Sequence, residues 1–159
     1  MLDTTSIPAA LHRGADDLPW VDLGDGSFLQ LLQVDIRQGL WVVRNRFLPG
    51  TEIVRHKHTG PVYAFTKSGS WKYAEYPEVN RAGSFLYEPA GSIHTLVVPA
   101  DNTEDTLANF VIVGANLNLD DEDHVISVYD AGSVLRFYLK ECAKLGIDRP
   151  DVIGIEQAA

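Results

Sequence analysis

From Phe28 onward the chain alternates apolar and polar residues in short bursts separated by turn residues. The bursts cover residues 28–34, 40–47, 52–58, 62–66, 70–76, 84–88, 95–98, 107–117 and 124–129. Period-two alternation over such lengths predicts strands with one buried face. The breaks are Pro49-Gly50, Thr59-Gly60-Pro61, Lys67-Ser68-Gly69, Arg81-Ala82-Gly83 and Pro89-Ala90-Gly91. Glycine reaches positive φ and proline presets φ, so each break is a turn with a mechanism. Many short strands at near-regular spacing, with no alternation of strand and helix, predict an all-β sandwich or barrel.

The period changes after Tyr129. Val134, Leu135, Tyr138, Leu139 and Cys142 fall at helical spacing, which predicts a helix over 131–145 with Gly146 as its stop. Ahead of the strands, a mixture of Pro, Gly, Asp and Ala reads as an arm with Trp20 as its anchor. The reading is one domain in three parts: arm 1–25, barrel 26–130, and a short C-terminal helix with its tail at 131–159.

A length of 159 residues, 45% of them hydrophobic, suits one domain with a real core. No apolar run approaches the roughly 20 residues of a membrane-spanning helix. Residues 1–12 lack the basic and then apolar regions of a secretory signal, so the cytoplasm is the expected compartment. A formal charge of -9 opposes binding to a nucleic-acid backbone. The run Asp120-Asp121-Glu122-Asp123 reads as a solvated loop, because a calcium loop needs spaced oxygen ligands and a glycine turn. Cys142 is the only cysteine, which excludes an intrachain disulfide and a thiolate zinc cluster. Its helical setting reads as that of a small buried hydrophobe.

Candidate chemistry lies in three histidines. His56 and His58 stand two apart in one strand segment, so their imidazoles share a face. His94 follows the Pro89-Ala90-Gly91 turn. Two rings from one strand and a third from another can converge on one divalent ion. His12 and His124 have no ligand-spaced neighbour and read as surface residues.

These residues fall in two frames that resemble the signatures of the cupin superfamily. Gly50, His56, His58 and Gly69 match the first frame, and Gly83, Pro89, Gly91 and His94 match the second. The resemblance covers roughly residues 47–99 and implies a jelly-roll barrel, a double-stranded β-helix, around a metal. Two positions depart from it. The glutamate of the first frame falls at Val62 or Tyr63, and the asparagine of the second at Val98. Three neutral imidazoles alone leave the charge of a divalent ion uncompensated, so such a site favours an anionic ligand.

Within the superfamily the chain resembles the cupins that cleave acetylacetone and 2,4'-dihydroxyacetophenone with dioxygen. Trp71, Tyr73 and Glu75, and the segment Tyr87-Glu88-Pro89, carry that likeness. It implies iron(II), with zinc, nickel and manganese as other candidates, and a small carbonyl substrate used with O2. The substrate binds as a chelating enolate, and its carbon–carbon bond breaks to give two carbonyl or carboxylic products. The likeness also sets Glu88 near the metal, where it orients a ligand or accepts the enol proton.

Other roles stay open at this level. Glu75 reads as a fourth ligand from the adjacent strand, a pocket residue, or a solvent-facing residue. Arg46, beside Arg44 on one strand face, either holds an anionic substrate inside the barrel or pairs with the acidic surface outside. Tyr63, Tyr73, Phe85 and Tyr87 are candidate cavity residues, although aromatics at strand spacing are more often core. Two further functional classes remain beside the dioxygenase. One is a zinc-bound sensor like the cupin half of some anti-sigma factors; the other is a metal-dependent isomerase or lyase. Exposed barrel edges invite pairing, so a homodimer or homotetramer is expected.

Overall fold

The structure is a computed structural model and describes residues 8–155, so the first residues of the arm and the last of the tail lie outside the described residues. Among the described residues the alternating segments form twelve strands. They are β1 (Val21–Asp22), β2 (Ser27–Asp35), β3 (Leu40–Phe47), β4 (Glu52–His58), β5 (Val62–Ser68) and β6 (Ser70–Tyr73). β7 (Asn80–Arg81), β8 (Phe85–Glu88), β9 (Ile93–Val97), β10 (Thr106–Val113), β11 (Asn116–Leu119) and β12 (Val125–Tyr129) follow. The first sheet has the order β1-β2-β3-β10-β5-β8, and the second β12-β11-β4-β9-β6-β7. All strand pairings are antiparallel, and the two sheets face each other as a jelly-roll barrel.

Alternation explains which side chains face inward. On β3 Trp41, Val43, Asn45 and Phe47 are buried, and on β5 Val62, Ala64 and Thr66. Ala108, Phe110 and Ile112 of β10 complete that face. Opposite them lie His56, His58, Trp71, Tyr73, His94 and Leu96 of the second sheet. Trp71 is fully buried, and its indole N–H donates to the Thr66 hydroxyl at 2.9 Å, so the polar handle of the largest core ring is satisfied.

The structure corrects three sequence boundaries. The segment expected as one strand over 107–117 is two, broken at Gly114. There the chain leaves the first sheet and enters the second. Gly114 takes φ +86, and a Cβ on it would lie 2.5 Å from the Thr59 hydroxyl, so only glycine fits this corner. Strand β9 begins at Ile93, not Thr95, which puts His94 inside the ladder. Strand β6 ends at Tyr73, so Glu75 lies beyond it.

Helix α1 (Ala131–Lys144) starts in a capping box: the Ser133 N–H donates to the Asp130 carboxylate at 2.7 Å, and the Ser133 hydroxyl accepts from the Asp130 N–H. Its buried stripe is Ala131, Val134, Leu135, Tyr138 and Cys142. The Tyr138 hydroxyl donates to the Pro19 carbonyl at 2.6 Å. The buried Gln30 amide donates to the Ala15 and Leu18 carbonyls at 2.9 and 2.7 Å. Those bonds tie the arm to the helix and the barrel, and the Trp20 ring lies 5.3 Å under the Arg46 guanidinium of β3. No described helix is long and apolar enough to cross a membrane.

Candidate metal centre

The second histidine frame works through its turn. Gly91 has φ +88, its N–H donates to the His58 carbonyl at 2.7 Å, and the His58 N–H donates to the Ser92 carbonyl at 3.2 Å. The turn is thereby stitched to β4, and β9 leaves it with His94 directly across the ladder from His56. On the other side of β4, Asn118 pairs with His56 and Asn116 with His58. Strand register, rather than loop conformation, sets the three rings.

The ring centroids lie 5.0 Å (His56–His58), 4.8 Å (His56–His94) and 5.4 Å (His58–His94) apart. One nitrogen from each ring falls within 4.8 Å of the others, and all three residues are buried. His56 Nδ1 lies 2.8 Å from the Val54 carbonyl. A carbonyl only accepts, so Nδ1 carries the proton and Nε2 offers its lone pair to the cluster. Burial pushes the His56 imidazole down, and takes His58 down to about 4. Both rings are neutral at pH 7, the form a metal ion needs.

Glu88 joins the cluster. It is 3% exposed, and its Oε2 lies 3.1 Å from Nε2 of both His58 and His94. Ligands at right angles on one ion, each about 2.1 Å from it, stand about 3 Å apart. Glu88 Oε2 and His94 Nε2 are both buried without a hydrogen-bond partner. Buried polar atoms left unpaired are costly, and a divalent ion among these four side chains removes that cost. The donor set therefore fits a first-row divalent metal.

Tyr73 holds this wall. Its hydroxyl donates to Glu88 Oε1, and its ring stacks on His94 with centroids 3.7 Å apart and planes 16° from parallel. Burial raises the Tyr73 hydroxyl well above its ordinary value, so it stays a donor. Burial pushes the Glu88 carboxyl up, but His94, His58 and Tyr73 outweigh it and hold it below its ordinary value.

The cluster opens on a cavity of about 280 Å³ inside the barrel. Leu29, Val43, Phe47, Phe110 and Ile112 give it apolar walls; Asn45, Asn116 and Asn118 give it amides; Val134 and Phe137 of α1 cover one side. A second groove touches Tyr73, Glu88 and His94 from outside, between the edges of the two sheets.

Several expected site residues lie elsewhere. Glu75 lies outside the histidine cluster: its carboxylate accepts from the Thr95 N–H at 2.9 Å and lies 3.6 Å from Arg55, because β6 ends before it. Arg46 points out of the barrel, since alternation on β3 turns its neighbours Asn45 and Phe47 inward. Its guanidinium lies over Phe28 and Trp20 at 4.3 and 5.3 Å and 3.9 Å from Asp105. Tyr63 also faces outward, packed against Tyr87 with ring centroids 5.5 Å apart and planes tilted by 41°. Phe85 and Tyr87 border the outer groove and not the barrel cavity, for Leu86 and Glu88 take the inward places on β8. The sequence reading missed the three asparagines. Asn45 carried a signal, a polar residue at an inward position between Val43 and Phe47. Asn116 and Asn118 were hidden by the undetected corner at Gly114.

Two sheets rolled around a three-histidine cluster define a cupin. The family model described as ChrR cupin-like domain matches residues 9–115, and the chain belongs to that family. Two solved structures from Ralstonia eutropha JMP134 are similar. One, a protein with a cupin-like fold, is 36% identical over 76% of this chain and 75% of its own, with a TM-score of 0.74. The other, an RmlC-like cupin, is 31% identical over 87% and 89%, with a TM-score of 0.81. An acetylacetone dioxygenase from Acinetobacter johnsonii shares the fold at 17% identity, over 89% of this chain and 98% of its own, with a TM-score of 0.75. No curated protein matches the sequence.

Proposed function

We propose that this cupin is a non-haem iron(II) dioxygenase that cleaves a carbon–carbon bond beside a carbonyl in a small diketone or hydroxyketone. The observation that carries this reading is the placement of the histidine cluster on the wall of a mostly apolar cavity of about 280 Å³, a volume suited to a small molecule. Iron(II), when bound, supplies a chelation point for an enolate and a partner for dioxygen. His56, His58 and His94 would hold it, and Glu88, 3.1 Å from the His58 and His94 Nε2 atoms, would add a carboxylate beside it. With one carboxylate beside it, a divalent ion would keep a single net positive charge, which one enolate would balance. The asparagines offer amide donors to substrate oxygens, and the apolar walls exclude water.

The test is oxygen uptake by anaerobically purified, iron-loaded protein given diketones and aryl hydroxyketones. One O2 consumed per substrate cleaved, lost in His94→Ala, supports the reading. Product formed equally well without air points instead to an isomerase or lyase and sinks it. The match to a ChrR cupin-like family favours a second reading, a metal-bound binding module. That reading expects metal-dependent ligand binding with no turnover and no oxygen uptake.

A further inference from the structure

Strand β4 carries a bulge immediately before its first histidine. Ile53 pairs with Leu96 and His56 with His94, so Val54 and Arg55 together face Thr95 alone. The extra residue sets the neighbours Ile53 and Val54 both on the cavity and leaves Arg55 off it. A bulge re-aims the side chains beside it, and a shift of one residue turns a strand's whole set to the other face. The face shown by His56 and His58 therefore depends on this bulge. Its first carbonyl, that of Val54, lies 2.8 Å from His56 Nδ1 and keeps the proton on that nitrogen.

Arg55, the second bulge residue, is gripped from two sides. Its Nε donates to Asp123 Oδ1 at 2.8 Å and its Nη2 to Oδ2 at 3.5 Å, while its Nη1 lies 3.6 Å from Glu75 Oε1. Asp123 has φ +64, a left-handed conformation uncommon outside glycine. A closed turn holds it there. The Asp123 N–H donates to the Asp120 carbonyl at 3.1 Å, and the Glu122 and His124 N–H groups donate to the Asp120 carboxylate, each at 2.9 Å. That turn follows β11, whose Asn118 is the ladder neighbour of His56. Glu75 in turn accepts from the N–H of Thr95, the residue that faces the bulge and adjoins His94. The acidic run that reads in the sequence as a solvated loop thus contains one carboxylate with a fixed partner.

We infer that Arg55 is a positioning residue for the metal centre: gripped by Asp123, it holds the bulge in the geometry that keeps the Val54 carbonyl on His56 Nδ1 and the His56 Nε2 lone pair on the cluster. The inference rests on the three-histidine centre and is independent of the reaction carried out there. An exposed ion pair adds little stability by itself. This pair acts through direction instead. Without it the bulge relaxes, the His56 proton divides between Nδ1 and Nε2, and the ring offers its lone pair to the cluster for only part of the time.

Long-range 15N–1H correlation spectra of the metal-free protein at pH 7.5 read the tautomer directly, with His56 assigned by its absence in His56→Ala. The wild type is expected to show the Nδ1–H form alone. Arg55→Met, which keeps an unbranched aliphatic stem, is expected to show both forms and to bind zinc about 3–10-fold more weakly. Asp123→Gly, which suits the positive φ and removes the carboxylate, is expected to act in the same direction, and Arg55→Lys to recover part of the loss. Arg13→Met removes another arginine–aspartate pair, Arg13–Asp151 at 2.9 Å, and is expected to change neither readout. A single Nδ1–H form with unchanged zinc affinity in Arg55→Met overturns the inference. So does an equal loss in Arg13→Met, which would mark a general destabilisation. A wild type that takes up no zinc overturns the metal centre and this inference together, whereas failure of the dioxygenase reading alone leaves both readouts unmoved.

Discussion

Val62 and Glu88 stand directly opposite each other across the β5–β8 ladder. The glutamate missing from the first histidine frame falls at Val62 or its neighbour Tyr63. A carboxylate is instead delivered from the adjacent strand, and its Oε2 reaches within 3.1 Å of two ligand nitrogens. Removing it takes away a negative charge and leaves the imidazoles. Glu88→Ala is expected to lower metal affinity by about 10–100-fold, a range typical of loss of a supporting ligand partner. Chelator-competition titration measures this, and unchanged affinity would remove Glu88 from the centre.

Glu75 and Arg46 make the opposite prediction. Glu75 is held by the Thr95 N–H and Arg55, and Arg46 lies outside the barrel over Phe28 and Trp20. Neither touches the cluster. Glu75→Gln and Arg46→Ala are expected to leave metal affinity within about twofold. A large loss in Glu75→Gln would show that its carboxylate reaches the ion after all. The stability cost of Arg46→Ala is expected near about 1 kcal/mol, the scale of an exposed cation–π contact.

Much of this site was legible because it depends on period and spacing. His56 and His58 share a face by strand alternation, and the proline and glycine before His94 mark the turn that brings it across. Tyr73 follows from alternation with Trp71 on β6. Glu75 was misplaced because period two was extended past the end of that strand. Arg46 and Tyr63 were undecided because alternation assigns two faces without saying which is inside. The asparagines of β11 depended on a corner that one glycine, Gly114, makes by contact with Thr59. That contact is tertiary and leaves no local pattern.

Stability of the metal-free protein is expected to fall with acid. Burial lowers the His58 imidazole to about 4 and moves His56 in the same direction. A histidine with a depressed folded value contributes stability that is full above its unfolded value, about 6.5, and is lost as pH falls through the folded one. For His58 that loss is roughly 3 kcal/mol between pH 6.5 and 4. Glu88, also depressed, adds a loss of the same sign at lower pH. Urea denaturation after chelator treatment, at pH 7.5 and 5, is expected to show the lower midpoint at pH 5. Equal midpoints would mean that the rings are not desolvated as described.

Metal binding is expected to stabilise the fold. A free ion at 100 times its Kd adds about 2.7 kcal/mol. For a chain of this length that corresponds to a rise in Tm of roughly 5–10 °C. The rise is expected to disappear with chelator and to be absent in His94→Ala. A Tm that ignores added iron, zinc and nickel alike would contradict it.

The most direct test of the account is metal stoichiometry, measured on protein purified anaerobically without a metal-binding tag, for the wild type and for His58→Ala and His94→Ala. The account predicts one first-row divalent ion per wild-type chain and a near-complete loss in both variants, with the β-sheet circular dichroism intact. A wild type that takes up no ion under any loading, or variants that keep theirs, would contradict it.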